Sequence, residues 1–372
     1  MNNPLIFKIN SGDSDIITKS KDSLITSSTI NVQESSLGYH NFIHRTKNYM
    51  SITKNLEIKN QFYYIVNPYE LEIPNYEDSI KNITLKYLNI KDDKIITREF
   101  SIVWELLYLF NLANRDVSYF STKKDSESID NALKKFKQKL NSGTVKESNK
   151  NCSLIFAIDD LNLNNSNFEE QDSYELLLNE LHQILDKQAI KGNCVLKVFE
   201  TYTTVSLKII YILSSFYEEV YLYKPYLSRL SDTEKYIVCK GFKKDPKLDD
   251  KIKSIESVLK KDKNSYIFDI FPELKLPKEF LNNFKFMNIR IANPQQIMIN
   301  KMVSFIKENN YYGEKFHMYK DQSIEASKWW ISMFYPPSNN IFEKNKEEMS
   351  KLLEATIIKN NMEESKLSSQ LI

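Results

Sequence analysis

Apolar and polar positions divide the chain into a sheet-forming middle and a more helical C-terminal part. Ser153–Ile158 is a continuous apolar run that stops at Asp159-Asp160, the pattern of a strand buried on both faces. Cys194 to Phe199 repeats that pattern. Val220 to Tyr223 and Lys235 to Cys239 predict two further strands, and Arg115 to Phe120 a short one. Helical spacing covers Tyr174 to Ala189, where Lys191-Gly192-Asn193 marks the stop, and Thr204 to Phe216. Upstream, Phe100, Val103, Trp104, Leu107 and Phe110 make a helical stripe over Arg98–Phe110, and Ile129, Leu133, Phe136 and Leu140 make another over Ser126–Leu140. Gln61 to Pro74 alternates aromatic and polar residues and predicts a short strand. Ser142 to Lys150 reads as a polar loop.

The strand–helix–strand order implies parallel βαβ units with right-handed crossovers, hence an α/β fold. Ligands of open sheets of this kind bind outside the carboxyl ends of the strands. Asp159 and Lys197 fall at such ends. Residues 1–36 are rich in Ser, Thr, Asn and Asp and predict a mobile arm. The α/β domain covers 37–245. A helical extension with an aromatic texture, including Trp329-Trp330, covers 246–345, and 346–372 reads as a frayed polar tail.

Composition narrows the function classes. At 372 residues and 41% hydrophobic, the chain can bury one sizeable core and a smaller appendage. A net charge of +2 means that any basicity for binding nucleic acid is local. Cys152, Cys194 and Cys239 lie in or beside apolar runs without C-x-x-C spacing, which predicts buried thiols in a reduced, cytoplasmic protein. Four scattered histidines offer no metal constellation, and no apolar run reaches the ~18 residues of a membrane span.

Three runs carry a more specific signal: Val195-Leu196-Lys197-Val198-Phe199-Glu200, Lys224-Pro225-Tyr226-Leu227-Ser228-Arg229, and Thr233-Glu234-Lys235-Tyr236-Ile237-Val238-Cys239-Lys240-Gly241-Phe242. Together they resemble the C-terminal half of the FtsJ-like RNA 2′-O-ribose methyltransferases, and most of all the viral and eukaryotic cap-specific branch. The resemblance implies a Rossmann-like methyltransferase sheet, S-adenosylmethionine as methyl donor and capped mRNA as substrate. It also implies a Lys-Asp-Lys-Glu set in which Lys197 activates the ribose hydroxyl, Asp159 is the aspartate and Glu234 the closing glutamate. A lysine or glutamate at a strand end is also compatible with a solvated rim charge.

Three departures from the family pattern stand out. Aligned on Arg98, Trp104 and Glu105, the family's first lysine is replaced by Ile102, which removes a like charge that would ease proton loss from Lys197. Lys94, Lys123 and Lys124 are candidate substitutes. The glycine-rich turn that passes the donor is replaced by Tyr119-Phe120-Ser121-Thr122-Lys123-Lys124-Asp125-Ser126-Glu127, and none of the six glycines lies between Gly38 and Gly143. With about 50 residues between Trp104 and Asp159, the usual second and third strands have little room, so the sheet is expected to be truncated in its first half. Donor-binding residues cannot be named.

Lys224, Arg229 and Tyr226 are the candidate RNA-binding residues, two cations and a stacking ring on one loop. Two readings follow. One is a catalytically degenerate homologue that binds RNA or a protein subunit in mRNA processing and needs no cofactor. The other is an active RNA 2′-O-methyltransferase that uses S-adenosylmethionine, with Lys197 as base.

Overall fold

The structure, a computed structural model, describes all residues except 1–3, 22, 31–36, 50–66, 74, 114–115, 142, 162–167, 260–265, 309–312 and 371–372. In chain order the strands are β1 (Leu5–Ile9), β2 (Leu24–Ser27), β3 (Val117–Ser121), β4 (Val145–Glu147), β5 (Cys152–Ala157), β6 (Gln188–Val198), β7 (Tyr217–Lys224), β8 (Lys235–Phe242) and β9 (Tyr266–Ile270). The helices are α1 (Ser14–Lys19), α2 (Leu37–Asn48), α3 (Ile80–Tyr87), α4 (Arg98–Phe110), α5 (Glu127–Leu140), α6 (Glu169–Lys187), α7 (Thr204–Ser215), α8 (Pro246–Leu259), α9 (Lys278–Lys307), α10 (Glu314–Phe334) and α11 (Asn339–Gln370).

Seven strands form the central sheet in the order β1-β7-β8-β6-β5-β3-β4, and β2 pairs with β9 in a separate ribbon. Strands β4, β3, β5 and β6 are parallel, whereas β8 runs antiparallel to both β6 and β7. The reversed β8 is what matters for function. Its start lies beside the end of β6, with Val198 opposite Lys235 and Lys197 opposite Tyr236. The expected truncation is present: beyond β3 the described sheet holds only the three-residue β4.

Side chains alternate across the pleat and feed two cores. Ile155, Ala157, Leu196, Val198 and Ile237 join Tyr174, Leu177, Leu181 and the apolar face of α7 on one side of the sheet. Leu154, Phe156, Val195 and Val238 join α4, α5 and the C-terminal helices on the other. Helix α4 is buried from Phe100 to Phe110, all round its circumference, as expected of a helix sandwiched between a sheet and further helices. Thr97 caps its first turn by accepting the Phe100 N–H at 3.1 Å, and Asn111 ends it in the left-handed region.

Several expectations need correction. Residues 5–9 of the presumed mobile arm form the edge strand β1, antiparallel to β7, with Ile6, Phe7 and Ile9 buried; the apolar pattern was too short to stand out in a polar segment. The presumed frayed tail is the long helix α11, which buries Met349 and Leu353, and its Asn360 donates to the carbonyl of Ile6 at 2.8 Å. Helix α6 ends at Lys187, and the next strand begins at once and runs through Gly192 to Val198, with Lys191 at φ +63°. The loop at 142–150 contains β4. The strand expected from Gln61 lies outside the described residues as far as residue 66. From there Asn67 forms a turn, donating to the Leu227 carbonyl and accepting the Tyr69 N–H, each at 2.9 Å.

Candidate active site

The carboxyl ends of β3, β5 and β6 and the start of β8 meet at one edge of the sheet, and charged side chains from each converge there. Lys197 is the last residue but one of β6 and is mostly shielded. Its ammonium lies 3.0 Å from Asp160 Oδ1 and 3.8 Å from Glu234 Oε2. The expected meeting of Lys197 with Glu234 is therefore observed, and it depends on β8 being reversed. The aspartate at Lys197 is Asp160, not Asp159. Asp159 instead donates its backbone N–H to Glu180 Oε1 at 3.0 Å and accepts the Asp160 N–H on its own carboxylate at 3.1 Å. Sequence reasoning could not choose between adjacent aspartates, because a strand end reverses side-chain direction at every residue.

Ile102 stands at the family's first lysine position and is buried at 2% exposure. A cation nevertheless reaches the site from the turn after β3. Lys123 Nζ lies 2.8 Å from Asp160 Oδ2 and 2.5 Å from Glu99 Oε2. Asp160 thus bridges two lysines, one on each carboxylate oxygen, and Glu99 in the first turn of α4 holds the second lysine from behind. Burial alone would lower the Lys123 ammonium, but its bonds to Asp160 and Glu99 outweigh that and raise it, so it stays charged. Burial raises the Asp160 carboxyl, but Lys123 and Lys197 together pull it below the usual range. Lys94 and Lys124, the other candidates, make no hydrogen bond or ion pair with this cluster.

Glu234 is also faced by Arg98, the first residue of α4. Its guanidinium is 3.9 Å from Glu234 Oε1 and 3.4 Å from Asp232. Burial weakens the Arg98 charge, and Glu234 and Asp232 more than restore it. Behind the cluster, Glu200 accepts from Lys47 at 2.7 Å and pairs with His44 at 2.9 Å. Burial raises the Glu200 carboxyl, but His44 and Lys47 bring it down to about 2. This network fixes α2 against the loop that follows Lys197, and no sequence signal pointed to it beyond Glu200 following a strand.

The proposed RNA residues sit differently from one another. Arg229 is exposed. Lys224 is 4% exposed, and its ammonium donates to the carbonyls of Asp232 and Glu234 at 2.7 and 2.9 Å. It pins the approach to Glu234 and is not a surface cation. Its burial lowers it to about 8. Tyr226 is buried between Tyr69 and Trp329, with ring centroids 5.2 and 5.1 Å away. Tyr226 and Lys224 also line a cavity of about 450 Å³ with Tyr69, Pro225, Arg290 and Pro294. Trp330 is core, with its indole on Glu105. Among the described residues no group of His, Cys, Asp and Glu could hold a metal, and no helix is long and apolar enough to cross a membrane.

Comparison with known proteins agrees with this geometry. Residues 85–242 match the family model described as FtsJ-like methyltransferase. An uncharacterized protein of Acanthamoeba polyphaga mimivirus is 27% identical over 268 residues, 67% of this chain and 72% of that protein. A cap-specific mRNA (nucleoside-2′-O-)-methyltransferase 2 of Drosophila melanogaster is 24% identical over 164 residues, 44% of this chain and 23% of the relative. The mouse cap-specific methyltransferase 1 is 39% identical over 77 residues, 21% of this chain and 9% of the relative. The chain thus spans under a quarter of the length of these cap-specific enzymes.

Proposed function

Residues 85–242 are an FtsJ-like methyltransferase domain, and from that premise we propose that the chain methylates the 2′-hydroxyl of an RNA ribose, with Lys197 as proton acceptor and capped mRNA as the substrate class. One observation carries this reading: Asp160 joins Lys197 to Lys123, with Glu234 completing the set. The cation missing at Ile102 is supplied from another element.

The chemistry follows from these groups. A ribose hydroxyl presented to Lys197 gives up its proton to the Nζ atom, which must be neutral to accept it. Asp160 favours the charged ammonium, so it opposes that step. Lys123 occupies the other oxygen of the same carboxylate and divides its pull. Glu234, balanced between Arg98 and Lys197, orients the ammonium from the opposite side.

FtsJ-like methyltransferases use S-adenosylmethionine, which supplies an electrophilic methyl group on a sulfonium. The residues present fit a cationic donor by charge: Asp159, just beyond the end of β5, carries a carboxylate that is engaged by neither Lys123 nor Lys197. The turn after β3 also needs no glycine for its backbone, since no residue from 121 to 126 has positive φ. Asp159 and the backbone of that turn would hold the donor.

RNA reaches the site past Arg229 and Glu234. The aromatic cavity at Tyr69 and Tyr226 is linked to the site through Lys224, which lies in its wall and donates to the Glu234 carbonyl. It suits a base of the same RNA by stacking.

The degenerate reading retains one supporting observation. The turn from Ser121 to Ser126 presents side chains where the family presents glycines, and Lys123 lies across it. A chain silenced in this way would keep RNA or an mRNA-processing subunit as its partner. Incubation with labelled S-adenosylmethionine and capped RNA separates the two. Label on a ribose 2′-oxygen, lost in Lys197→Ala, supports the active enzyme; RNA binding without donor binding in calorimetry supports the silent one.

A further inference from the structure

Glu180 has no part in the chemistry above, yet it is among the most deeply buried carboxyl groups in the molecule, at 1% exposure on the inner face of α6. Its Oε1 accepts two hydrogen bonds from two different loops. One comes from the Thr122 hydroxyl at 3.1 Å, in the turn after β3; the other comes from the Asp159 N–H at 3.0 Å, at the end of β5. Each of those residues is the immediate neighbour of a member of the charged cluster, Thr122 of Lys123 and Asp159 of Asp160. Lys123 and Asp160 then pair with each other at 2.8 Å above the clamp.

We propose that Glu180 is a positioning residue, a buried acid that ties the β3 and β5 loops together from beneath and so holds Lys123 against Asp160. The proposal rests on the reading of Lys197 and Asp160 as the acceptor site. A salt bridge between two loops is weak on its own where one partner is open to water: Asp160 is 63% exposed, although Lys123 is largely shielded. The two hydrogen bonds beneath are out of water's reach, so the geometry of the pair is inherited from the clamp.

The state of the carboxyl supports this role. Oε2 is buried and has no hydrogen-bond partner, which a carboxylate would not tolerate. Burial pushes Glu180 up to about 8; the nearby Asp159 charge adds to that, while its two hydrogen bonds and Lys197 oppose it. Burial thus favours the neutral form of Glu180, with Oε1 left to accept both bonds. A glutamine presents the same accepting oxygen, so Glu180→Gln keeps the clamp, although its amide N–H groups meet no acceptor at the Oε2 position. Glu180→Leu removes it and leaves the Asp159 N–H without an acceptor.

The test uses the full chain with both substitutions and two readouts. In hydrogen exchange, Glu180→Leu should speed exchange at Asp159 and at 122–126, while Glu180→Gln keeps the wild-type rates. In methyl transfer, Glu180→Leu should lower kcat about 100-fold, the effect of a misplacement near 1 Å, with KM for RNA unchanged, and Glu180→Gln should stay within about threefold of wild type. Unchanged exchange in Glu180→Leu, or equal losses of kcat in both variants, overturns the proposal. Should Glu180→Leu not fold, Thr122→Val takes its place: faster exchange confined to 122–126 supports the clamp, and no change refutes it. If the wild-type chain transfers no methyl group, the catalytic reading fails by itself, and exchange alone decides the role of Glu180.

Discussion

The indole N–H of Trp330 donates to Glu105 Oε2 at 2.9 Å, and this bond joins the C-terminal helices to the middle of α4. Glu105 is wholly buried, and its other oxygen accepts the Tyr223 hydroxyl at 2.5 Å and the Tyr226 N–H at 2.9 Å. One carboxyl group therefore organises α4, β7, α10 and the loop that lines the aromatic cavity. Helices α10 and α11 share a core with α4, α5 and one face of the sheet.

Glu105→Ala should cost about 3–5 kcal/mol of stability, because three buried donors lose their acceptor. Burial raises the Glu105 carboxyl from 4.5 to about 7, against the lowering effect of its hydrogen bonds. With the folded value above the unfolded one, its contribution is fully present below pH 4.5 and is lost as pH rises through 7. Denaturant unfolding of the wild type should therefore show a decline across that window, to which Glu180 also contributes, and Glu105→Gln should make it shallower. An identical decline in wild type and Glu105→Gln would refute the assignment.

The two-lysine bridge makes a distinct prediction for Lys123→Ala. Removing that cation leaves Asp160 with Lys197 as its one lysine partner. Methyl transfer should fall, and Lys123→Arg, which keeps the cation, should stay near wild type. Equal losses in Lys123→Ala and Lys123→Arg would mean that the charge of Lys123 plays no part.

How much of this was readable in the sequence depends on the kind of signal. Buried parallel strands such as 153–158 and 194–199 announce themselves as apolar runs, and the fixed spacing of Lys197, Lys224 and Glu234 identified the family. The partner of Lys197 was off by one residue, because Asp159 and Asp160 differ only in which way a strand end turns them. Lys123 was a candidate without evidence, since its approach to Asp160 depends on the β3 and β5 loops meeting in space. Lys224 was misread as a surface cation: its burial follows from bonds to the carbonyls of Asp232 and Glu234, and nothing local encodes those.

Lys224→Ala should accordingly destabilise the protein by about 1–3 kcal/mol and loosen 232–234, rather than subtract one phosphate contact. Arg229→Ala should leave the fold intact, weaken RNA binding modestly and reduce the salt slope by about one. Measuring affinity against salt for both variants checks this. An intact fold and a reduced slope in Lys224→Ala would return that residue to the RNA surface.

The cavity beside Glu234 calls for the opposite signature. If a base of the RNA stacks on Tyr69, then Tyr69→Ala removes a contact that carries no charge. Base–aromatic stacking is worth about 1–3 kcal/mol, so affinity should fall roughly 5- to 150-fold while the salt slope stays unchanged. Tyr69 also packs on Tyr226 and Trp329, so the variant needs a check that its unfolding transition is retained. Tyr69→Phe keeps the ring and should bind like wild type. A Tyr69→Ala variant that stays folded and binds RNA with full affinity would place the substrate elsewhere, and would leave Arg229 as the residue to follow toward it.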